Sequence, residues 1–297
     1  MKFLNILEKN LKQVWKVWFA VSSSLFSILS IILSFLSWED FGITKTSAKL
    51  IAFIIIILFS LVTGVFWTCF ITKKHVYWSN GDGKINICYA DIMKISFPRK
   101  SKGKKIVVIP VNTSFDTIVD ENLASCDRPL VSATTVHGLW LKNMVKNGTS
   151  IADIDLAIDR YILNKNIRCV KELTTEEKSR GKRKCFENGT TVIIEGKNDI
   201  TFFLLALSEF DENNRAQSSK EDVVKCMKEL LEFYDINGQG YEMYVTLVGT
   251  GRSRAGLSHE ESLQTMKSIF SIYSHKIHGT INIVIYSKDK EKVSIFS

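Results

Sequence analysis

The chain has 297 residues, enough for two domains, and its 39 Lys and Arg against 31 Asp and Glu give a formal net charge of +8. Residues 1–74 contain eight Lys, no Arg and three acidic residues, so most of the basic excess belongs to this apolar part. The near balance of charge in residues 75–297 argues against a nucleic-acid-binding surface. Six scattered cysteines without a Cys-x-x-Cys pair favour a reduced cytosolic compartment over a disulfide framework.

Two apolar segments open the chain, at about residues 17–38 and 50–72, and each has roughly the 20 residues that a bilayer core requires. The second segment is almost pure hydrocarbon, without the polar face that a helix of a soluble protein shows. The loop between them, residues 39–49, is short, so the two helices must run antiparallel. The sequence therefore predicts a transmembrane hairpin over residues 1–74, followed by a soluble domain over residues 75–297.

Lysines lie at both ends of this predicted hairpin. Four precede the first span and two follow the second: Lys2, Lys9, Lys12, Lys16, Lys73 and Lys74. The connecting loop has two lysines offset by two acidic residues. By the positive-inside rule, both termini and the soluble domain are expected in the cytoplasm.

The first predicted span carries a stripe of five serines at helical spacing: Ser23, Ser27, Ser30, Ser34 and Ser37. Small hydroxylated residues at this spacing let helix backbones approach closely and hydrogen-bond across the contact. The stripe is compatible with packing against the second span, with an interface between protomers, or with a wettable seam in an assembly of hairpins. The sequence leaves these alternatives open.

From residue 75 onward, strand and helix signals alternate, which is typical of an α/β layered domain. Strands are predicted at residues 85–89, 105–111, 191–194, 200–207, 244–248 and 280–286. Amphipathic helices are predicted behind three capping serines: Ser150, Ser218 (with Glu221) and Ser258 (with Glu261). Two basic segments, residues 99–105 and 178–184, are predicted to be exposed loops, either solvated or in contact with anionic lipid headgroups.

A glycine-rich segment, residues 245–256, has the pattern of a buried strand, a tight turn and the start of a helix. Gly251 and Gly256 are expected to adopt positive φ and to let a ligand approach the backbone closely. Backbone N–H groups, the helix N-terminus and the side chains of Arg252 and Arg254 would then converge on one spot, which suits a phosphate. The alternative is an ordinary strand–turn–helix joint.

Polar residues also end two earlier strands. Asp91 closes the first, and Asn112 opens the polar segment Asn-Thr-Ser-Phe-Asp-Thr after a buried strand. In α/β sheets, ligands bind outside the carboxyl ends of strands, where both residues and the glycine-rich segment would lie.

This order of a strand ending in Asp-Ile, a strand ending in Asn and a later strand ending in Gly-Thr-Gly resembles macro domains, which bind ADP-ribose and its derivatives. The resemblance covers most of residues 80–290 and implies a mixed α/β sheet flanked by helices. It implies that Asp91 recognises the adenine amino group and that Asn112 lies beside the distal ribose. It further implies that the diphosphate is surrounded by Gly249, Thr250, Gly251 and Arg252. The remaining expected ligand-binding residues are Thr113, Phe115, Asp116, His137, Gly138, Ser253 and Arg254.

The sequence departs from the hydrolytic members of that family. Their glycine triplet is absent from the comparable residues 132–139, where Gly138 stands alone, and the paired glutamates of poly(ADP-ribose) glycohydrolases are missing. Asp116 and His137 remain candidates for a base and an acid, and equally for ligand contacts or hydrogen-bonded structural residues. We therefore expect a ligand-binding protein with no catalytic residue, no metal and no cofactor other than the ADP-ribose-type ligand.

Two spans followed by a macro domain with Pro-Val-Asn-Thr-Ser-Phe-Asp-Thr and Val-His-Gly resemble the transmembrane macro-domain effectors of type II Thoeris anti-phage defence. In that family a TIR-domain enzyme converts NAD into a signalling ADP-ribose conjugate, reported as histidine-ADP-ribose. The macro domain senses it, and the membrane part assembles and damages the membrane. The resemblance implies a homo-oligomeric sensor-effector of the bacterial inner membrane, whose partners are the ligand, the TIR enzyme through its product, and the lipid bilayer. The alternative is a membrane-tethered hydrolase of ADP-ribose conjugates.

Overall fold

The computed structural model describes residues 2–122, 130–210, 216–251 and 255–297. The chain divides into two compact units, Met1–His75 with Lys288–Ser297, and Val76–Ser287. The helices of the first unit are α1 (Lys2–Phe35) and α2 (Thr46–Phe66), the latter continued by a π-helical turn, Trp67–Ile71.

Both long helices have the length and composition of membrane-crossing helices. Helix α1 begins well before the predicted span at residue 17, so the lysine-bearing segment ahead of that span is helical as well. Large apolar side chains point outward from both helices, among them Phe35, Phe59 and Val62. Exposed hydrocarbon costs about 25 cal/mol per Å² in water, a cost that lipid removes.

Helices α1 and α2 pack against each other through small and polar residues. The Ser22 and Ser60 hydroxyls share a hydrogen bond of 2.7 Å, and the Trp18 indole N–H donates to the Ile57 carbonyl at 3.3 Å. A Cβ placed on Gly64 would lie 3.2 Å from the Trp18 backbone nitrogen. Gly64 therefore allows the close approach of the two helix backbones that small residues provide in membranes.

The serine stripe does not take part in this contact. All five of its serines are exposed, and the serine that reaches α2 is Ser22, which lies outside the stripe. The alternative in which the stripe packs against the second span is therefore wrong, because the rotation of α1 turns a different face toward α2. An outer interface or seam remains for the stripe.

The C-terminal segment Lys288–Ser297 belongs to the same unit as the two helices. Ser294 is fully buried, and its hydroxyl donates to the Asn10 side-chain carbonyl at 2.6 Å. Val293 and Ile295, on either side of Ser294, have no exposed surface. The chain that leaves the last strand is thus anchored on the first helix.

The second unit contains the sheet and five further helices in the described part of the chain. Its principal strands are β1 (Lys74–Asn80), β2 (Gly83–Ala90) and β3 (Lys105–Asn112), with the short β4 (Val119–Asp120), β5 (Val131–Ser132), β6 (Lys171–Glu172) and β7 (Lys184–Cys185). The later strands are β8 (Thr191–Glu195), β9 (Ile200–Phe210), β10 (Ala216–Gln217), β11 (Glu242–Thr246) and β12 (Thr280–Tyr286). The helices are α3 (Ile92–Ser96), α4 (Val136–Lys146), α5 (Ile151–Asn164), α6 (Lys220–Asn237) and α7 (His259–Ile272).

The main sheet has the order β1-β2-β12-β11-β3-β9, and β9 also pairs with β8 and β10. Strands β2, β12, β11, β3 and β9 run parallel to one another, whereas β8 and β10 run antiparallel to β9. On β9, Phe202 faces a core shared with α4 and α5, and Phe203, on the opposite face, packs edge-on against Phe233 of α6 at 5.1 Å. Helices therefore cover both faces, which explains the nearly continuous apolar run of β3. The predicted mixed sheet flanked by helices is confirmed.

Two adjacent strands part where the predicted site lies. Strand β11 pairs with β3 at residues 242–244, opposite residues 105–107, and then continues beside β12 to Thr246. Strand β3 continues alone on that side to Asn112. The divergence leaves a crevice between the carboxyl ends of β3 and β11, the position where open α/β sheets bind ligands.

Capping boxes mark the first turns of three helices in the described part of the chain. Helix α5 begins behind Ser150, as predicted. Helix α7 begins behind Ser258, whose hydroxyl accepts the Glu261 N–H, as predicted. Helix α6 begins one residue later than predicted, because Ser219 caps it and the Asp222 carboxylate accepts the Ser219 N–H at 2.7 Å. The aspartate at this position reaches back to the cap as a glutamate would.

Candidate functional site

Asp91 directly follows β2 and caps the short helix α3. One of its carboxylate oxygens accepts the Met93 N–H at 3.0 Å. The other oxygen bonds to no described residue, and the side chain is half-buried. Asp91 can therefore accept a hydrogen bond from an amino group of a ligand at the carboxyl edge of the sheet.

Asn112 ends β3 and organises the loop that follows. Its side-chain carbonyl accepts the N–H groups of Ser114 at 3.1 Å and Asp116 at 3.2 Å. The Asn112 amide nitrogen donates to no described residue. Because the carbonyl is used internally, the donors of the amide are the part of this side chain that can bind a ligand.

The loop residues after Asn112 are fixed from both sides. The Thr113 N–H donates to the Ser208 carbonyl, and the Thr113 carbonyl accepts the Phe186 N–H, each at 2.9 Å. Phe115 is buried, packs edge-on against Phe186 at 5.8 Å between ring centres, and has φ of +52°. A left-handed backbone costs a residue with a Cβ about 1–2 kcal/mol. Packing and hydrogen bonds therefore hold this loop in one conformation.

Asp116 is fully buried and lies against Lys178, which is 1% exposed. The Lys178 ammonium contacts one carboxylate oxygen at 2.6 Å, and the Lys182 backbone N–H donates to the other at 2.7 Å. Burial raises the pKa of the Asp116 carboxyl, and the positive charge of Lys178 opposes that rise. Both oxygens are engaged, so Asp116 anchors the loop after β3 to the segment that carries Lys178 and Lys182.

The basic segment 178–184 is fastened to the domain at three points. Besides Lys178, Arg180 pairs with Asp120 at 2.9 Å, and the Lys182 ammonium pairs with Asp155 at 2.8 Å. The prediction that this segment is an exposed loop is wrong for these three residues, because acidic partners far away in the sequence draw them inward. Lys178 and Lys182 are site residues that the sequence analysis missed, and nothing in the run of cations distinguishes them.

His137 and Gly138 lie in the first turn of α4, a helix that the sequence analysis did not predict. Thr135 caps this helix by accepting the Gly138 N–H at 3.1 Å. A Cβ on Gly138 would overlap the Ser132 carbonyl oxygen, so glycine permits the close approach of α4 to β5. Burial lowers the pKa of His137 to about 3. Burial therefore favours the neutral imidazole, which can both donate and accept a hydrogen bond.

Two residues separate the end of β11 from Gly249, where the glycine-rich loop begins. Gly249 has φ of +79°, and a Cβ on it would lie 2.8 Å from the Leu257 side chain. Gly251, by contrast, is exposed, no atom of the described residues lies within 4 Å of where its Cβ would be, and its φ is not positive. The expected positive φ is therefore confirmed for Gly256, at +69°, and wrong for Gly251. Thr250, between the two glycines of the loop, is half-buried.

Helix α7 is tied to the start of this loop. The buried Ser262 hydroxyl donates to the Val248 carbonyl at 2.6 Å. This contact, which the sequence analysis missed, fixes the position of the glycines relative to the helix. Arg252, Ser253 and Arg254 lie outside the described residues.

The strand order β2-β12-β11-β3 brings three of the predicted groups to one edge of the sheet. Asp91 follows β2, residues 249–251 follow β11 and Asn112 ends β3. The edge combines a hydrogen-bond acceptor, an amide donor and an open glycine backbone. Such a set suits an elongated polar ligand lying across the strand ends.

Comparison with known proteins identifies relatives of this chain. A family model described as "Thoeris protein ThsA, Macro domain" matches residues 85–286. The Thoeris protein ThsA of Bacillus amyloliquefaciens (strain Y2) is 23% identical over 280 residues, covering 92% of this chain and 86% of that protein. A macrodomain variant from Oceanobacillus iheyensis, solved with ADPR, superposes with a TM-score of 0.45 at 12% identity, covering 73% of this chain and 92% of that one. A macrodomain protein from Streptomyces coelicolor gives a TM-score of 0.35 at 6% identity, covering 68% and 99%.

Proposed function

The chain belongs to the ThsA macro-domain family of Thoeris proteins, and on that basis we propose that it is a membrane-anchored sensor-effector of bacterial anti-phage defence. The unit Val76–Ser287 binds an ADP-ribose-derived signal, and binding drives assembly of the N-terminal hairpins and disruption of the inner membrane. The observation that carries this proposal is the edge formed by Asp91, Asn112 and the glycine-rich loop.

In this proposal the ligand lies along the carboxyl ends of β2, β11 and β3. The second carboxylate oxygen of Asp91 accepts the adenine amino group. The diphosphate approaches the backbone at Gly251, which offers no side-chain obstacle. The amide of Asn112 donates to the distal ribose.

Binding without turnover is supported by the state of the two acid–base candidates. Asp116 already has both oxygens engaged by Lys178 and Lys182. The pKa of His137, lowered to about 3 by burial, leaves it without a proton to deliver near pH 7. A hydrolase that used this pair would need the Asp116 carboxylate free as a base or His137 protonated as an acid.

In this proposal the N-terminal hairpin couples ligand binding to disruption of the membrane. Ligand binding moves the equilibrium toward the assembled state only if that state binds the ligand more tightly than the resting one. A shift from about 1% to 99% assembled requires about 10⁴-fold tighter binding, or about 5.5 kcal/mol. The exposed serine stripe on α1 supplies polar groups for contacts between hairpins.

We further propose that the signal is histidine-ADP-ribose produced by a partner TIR-domain enzyme. The soluble domain and both termini then face the cytoplasm, where NAD is available to that enzyme.

The full chain in lipid nanodiscs tests this function. Calorimetry measures the binding of ADP-ribose and histidine-ADP-ribose, and mass spectrometry after incubation reports the fate of each ligand. Tight binding with intact ligand recovered is the expected result. Cleaved ligand would favour a hydrolase, and no binding of any ADP-ribose derivative would refute both functions.

A further inference from the structure

We propose that Lys178 is a positioning residue of the ligand site, whose buried ion pair with Asp116 holds the loop after β3 in the conformation that offers the Asn112 amide to the ligand. This inference rests on the proposed function. It adds a residue from a distant part of the chain, 62 positions from Asp116, to the determinants of binding.

The ion pair between Lys178 and Asp116 is expected to contribute little to the stability of the fold. Both side chains are at most 1% exposed, so both charges are stripped of water when the domain folds. Desolvation of a buried ion pair typically cancels the attraction between its charges, and apolar residues of similar volume would serve stability as well. A pair of this kind has a conformational consequence instead, because it makes one arrangement of its two segments far better than any other.

The contacts run in series from Lys178 to Asn112. The Lys178 ammonium donates hydrogen bonds to the Lys182 carbonyl at 2.5 Å and to the Asp116 carboxylate at 2.6 Å. The backbone N–H of Asp116 in turn donates to the Asn112 side-chain carbonyl at 3.2 Å. This last bond orients the amide group, and with it the two donors that remain for a ligand.

The segment that carries Lys178 is shaped to fit the carboxylate. Gly181 has φ of +77°, and a Cβ at this position would overlap the Asp116 side chain. The chain therefore turns directly over Asp116 and places the Lys182 N–H on its second oxygen at 2.7 Å. Two donors from one tight turn fix the carboxylate, so the loop before it has little freedom.

Loss of the Lys178 charge should therefore weaken ligand binding, although Lys178 does not itself contact the ligand in this proposal. In Lys178→Met, the buried Asp116 carboxyl loses its ammonium partner, so it must either take up a proton or move toward water, and either change loosens the contacts that hold the loop. We expect the Kd for ADP-ribose to rise about tenfold and the unfolding temperature to fall.

A double variant separates positioning from stability. Asp116→Asn with Lys178→Met removes both charges together, so the unfolding temperature should return to within about 3 °C of the wild type. The ion pair that holds the loop is still absent in this variant, and we expect its affinity for ADP-ribose to be about fivefold weaker than that of the wild type. A residue that serves stability alone would regain affinity together with the unfolding temperature.

The experiment uses the full chain in nanodiscs, with ADP-ribose as the calorimetric probe and thermal unfolding in parallel. Lys225→Met is the matched control, since Lys225 forms an exposed ion pair of 2.6 Å with Glu187 in the same unit. It should bind like the wild type. Wild-type affinity in Lys178→Met or in the double variant would overturn the inference. If the wild type binds no ADP-ribose derivative at all, the proposed function itself fails and this inference fails with it.

Discussion

Gly249 and Gly251 lie two residues apart in the loop after β11, but they are glycines for different reasons. Gly249 combines a positive φ with a Leu257 side chain 2.8 Å from where a Cβ would lie. Gly251 has neither constraint, because its φ is not positive and no atom of the described residues lies within 4 Å of where a Cβ would be. Alanine at each position therefore separates the folding of the loop from its contact with a ligand.

The expected magnitudes follow from these geometries. For Gly249→Ala, the left-handed backbone costs about 1–2 kcal/mol and overpacking against Leu257 adds about 1–3 kcal/mol. An unfolding free energy lower by about 2–5 kcal/mol is the result. For Gly251→Ala, the change in stability should stay below about 0.5 kcal/mol. Its methyl group would meet an approaching diphosphate, and affinity should fall about tenfold.

Denaturant unfolding and ADP-ribose calorimetry on the two full-length variants measure both quantities. The expected outcome is a crossed pattern, with stability lost mainly in Gly249→Ala and affinity lost without stability in Gly251→Ala. If Gly251→Ala binds with wild-type affinity, the ligand does not approach this backbone, and the placement of the diphosphate is refuted. An equally stable Gly249→Ala would refute the strain argument.

Three further predictions concern other parts of the chain. Replacing Ser30 and Ser34 with Leu should reduce ligand-triggered permeabilisation of liposomes without changing affinity; unchanged permeabilisation would remove the stripe from the mechanism. Ser294→Ala leaves the buried carbonyl of Asn10 without its donor and should lower the unfolding free energy by about 1–3 kcal/mol, measured by thermal unfolding of the full chain, whereas no loss would show that this contact is weak. The pKa of His137, about 3 in the fold, lies below the ordinary 6.5, so the unfolded chain binds the proton first and stability falls as pH drops below 6.5. His137→Gln should lack a fall of about 1.4 kcal/mol per pH unit between pH 6 and 4, and an identical pH profile would contradict the burial of a neutral imidazole.

The sheet was predictable because its strands are short apolar runs bounded by polar residues. The segments ending at Asp91 and Asn112 are examples, and their shared edge follows from parallel pairing. Helix α4 was not predicted, because a glycine such as Gly138 usually indicates a turn or loop. Its reason for being a glycine is the close approach of the Ser132 carbonyl, which the sequence does not reveal. The need for glycine there arises from tertiary packing, which a single sequence does not display.

The ion pair between Lys178 and Asp116 could not be predicted from the sequence either. Lys178 sits in a run of cations that favours solvent, and its partner Asp116 lies in a segment whose polar residues suggest a ligand or catalytic role. Only the fold shows that the two meet in the interior. The C-terminal segment is similar, since the contact of Ser294 with Asn10 joins nearly opposite ends of the chain.

Dye release from liposomes containing the purified full chain tests the central claim most directly. Addition of histidine-ADP-ribose should release the dye, and the same addition to liposomes that carry the Gly251→Ala variant should require a higher ligand concentration. Absence of release at saturating ligand, or release at the same rate without ligand, would contradict a sensor whose binding site controls its membrane hairpin.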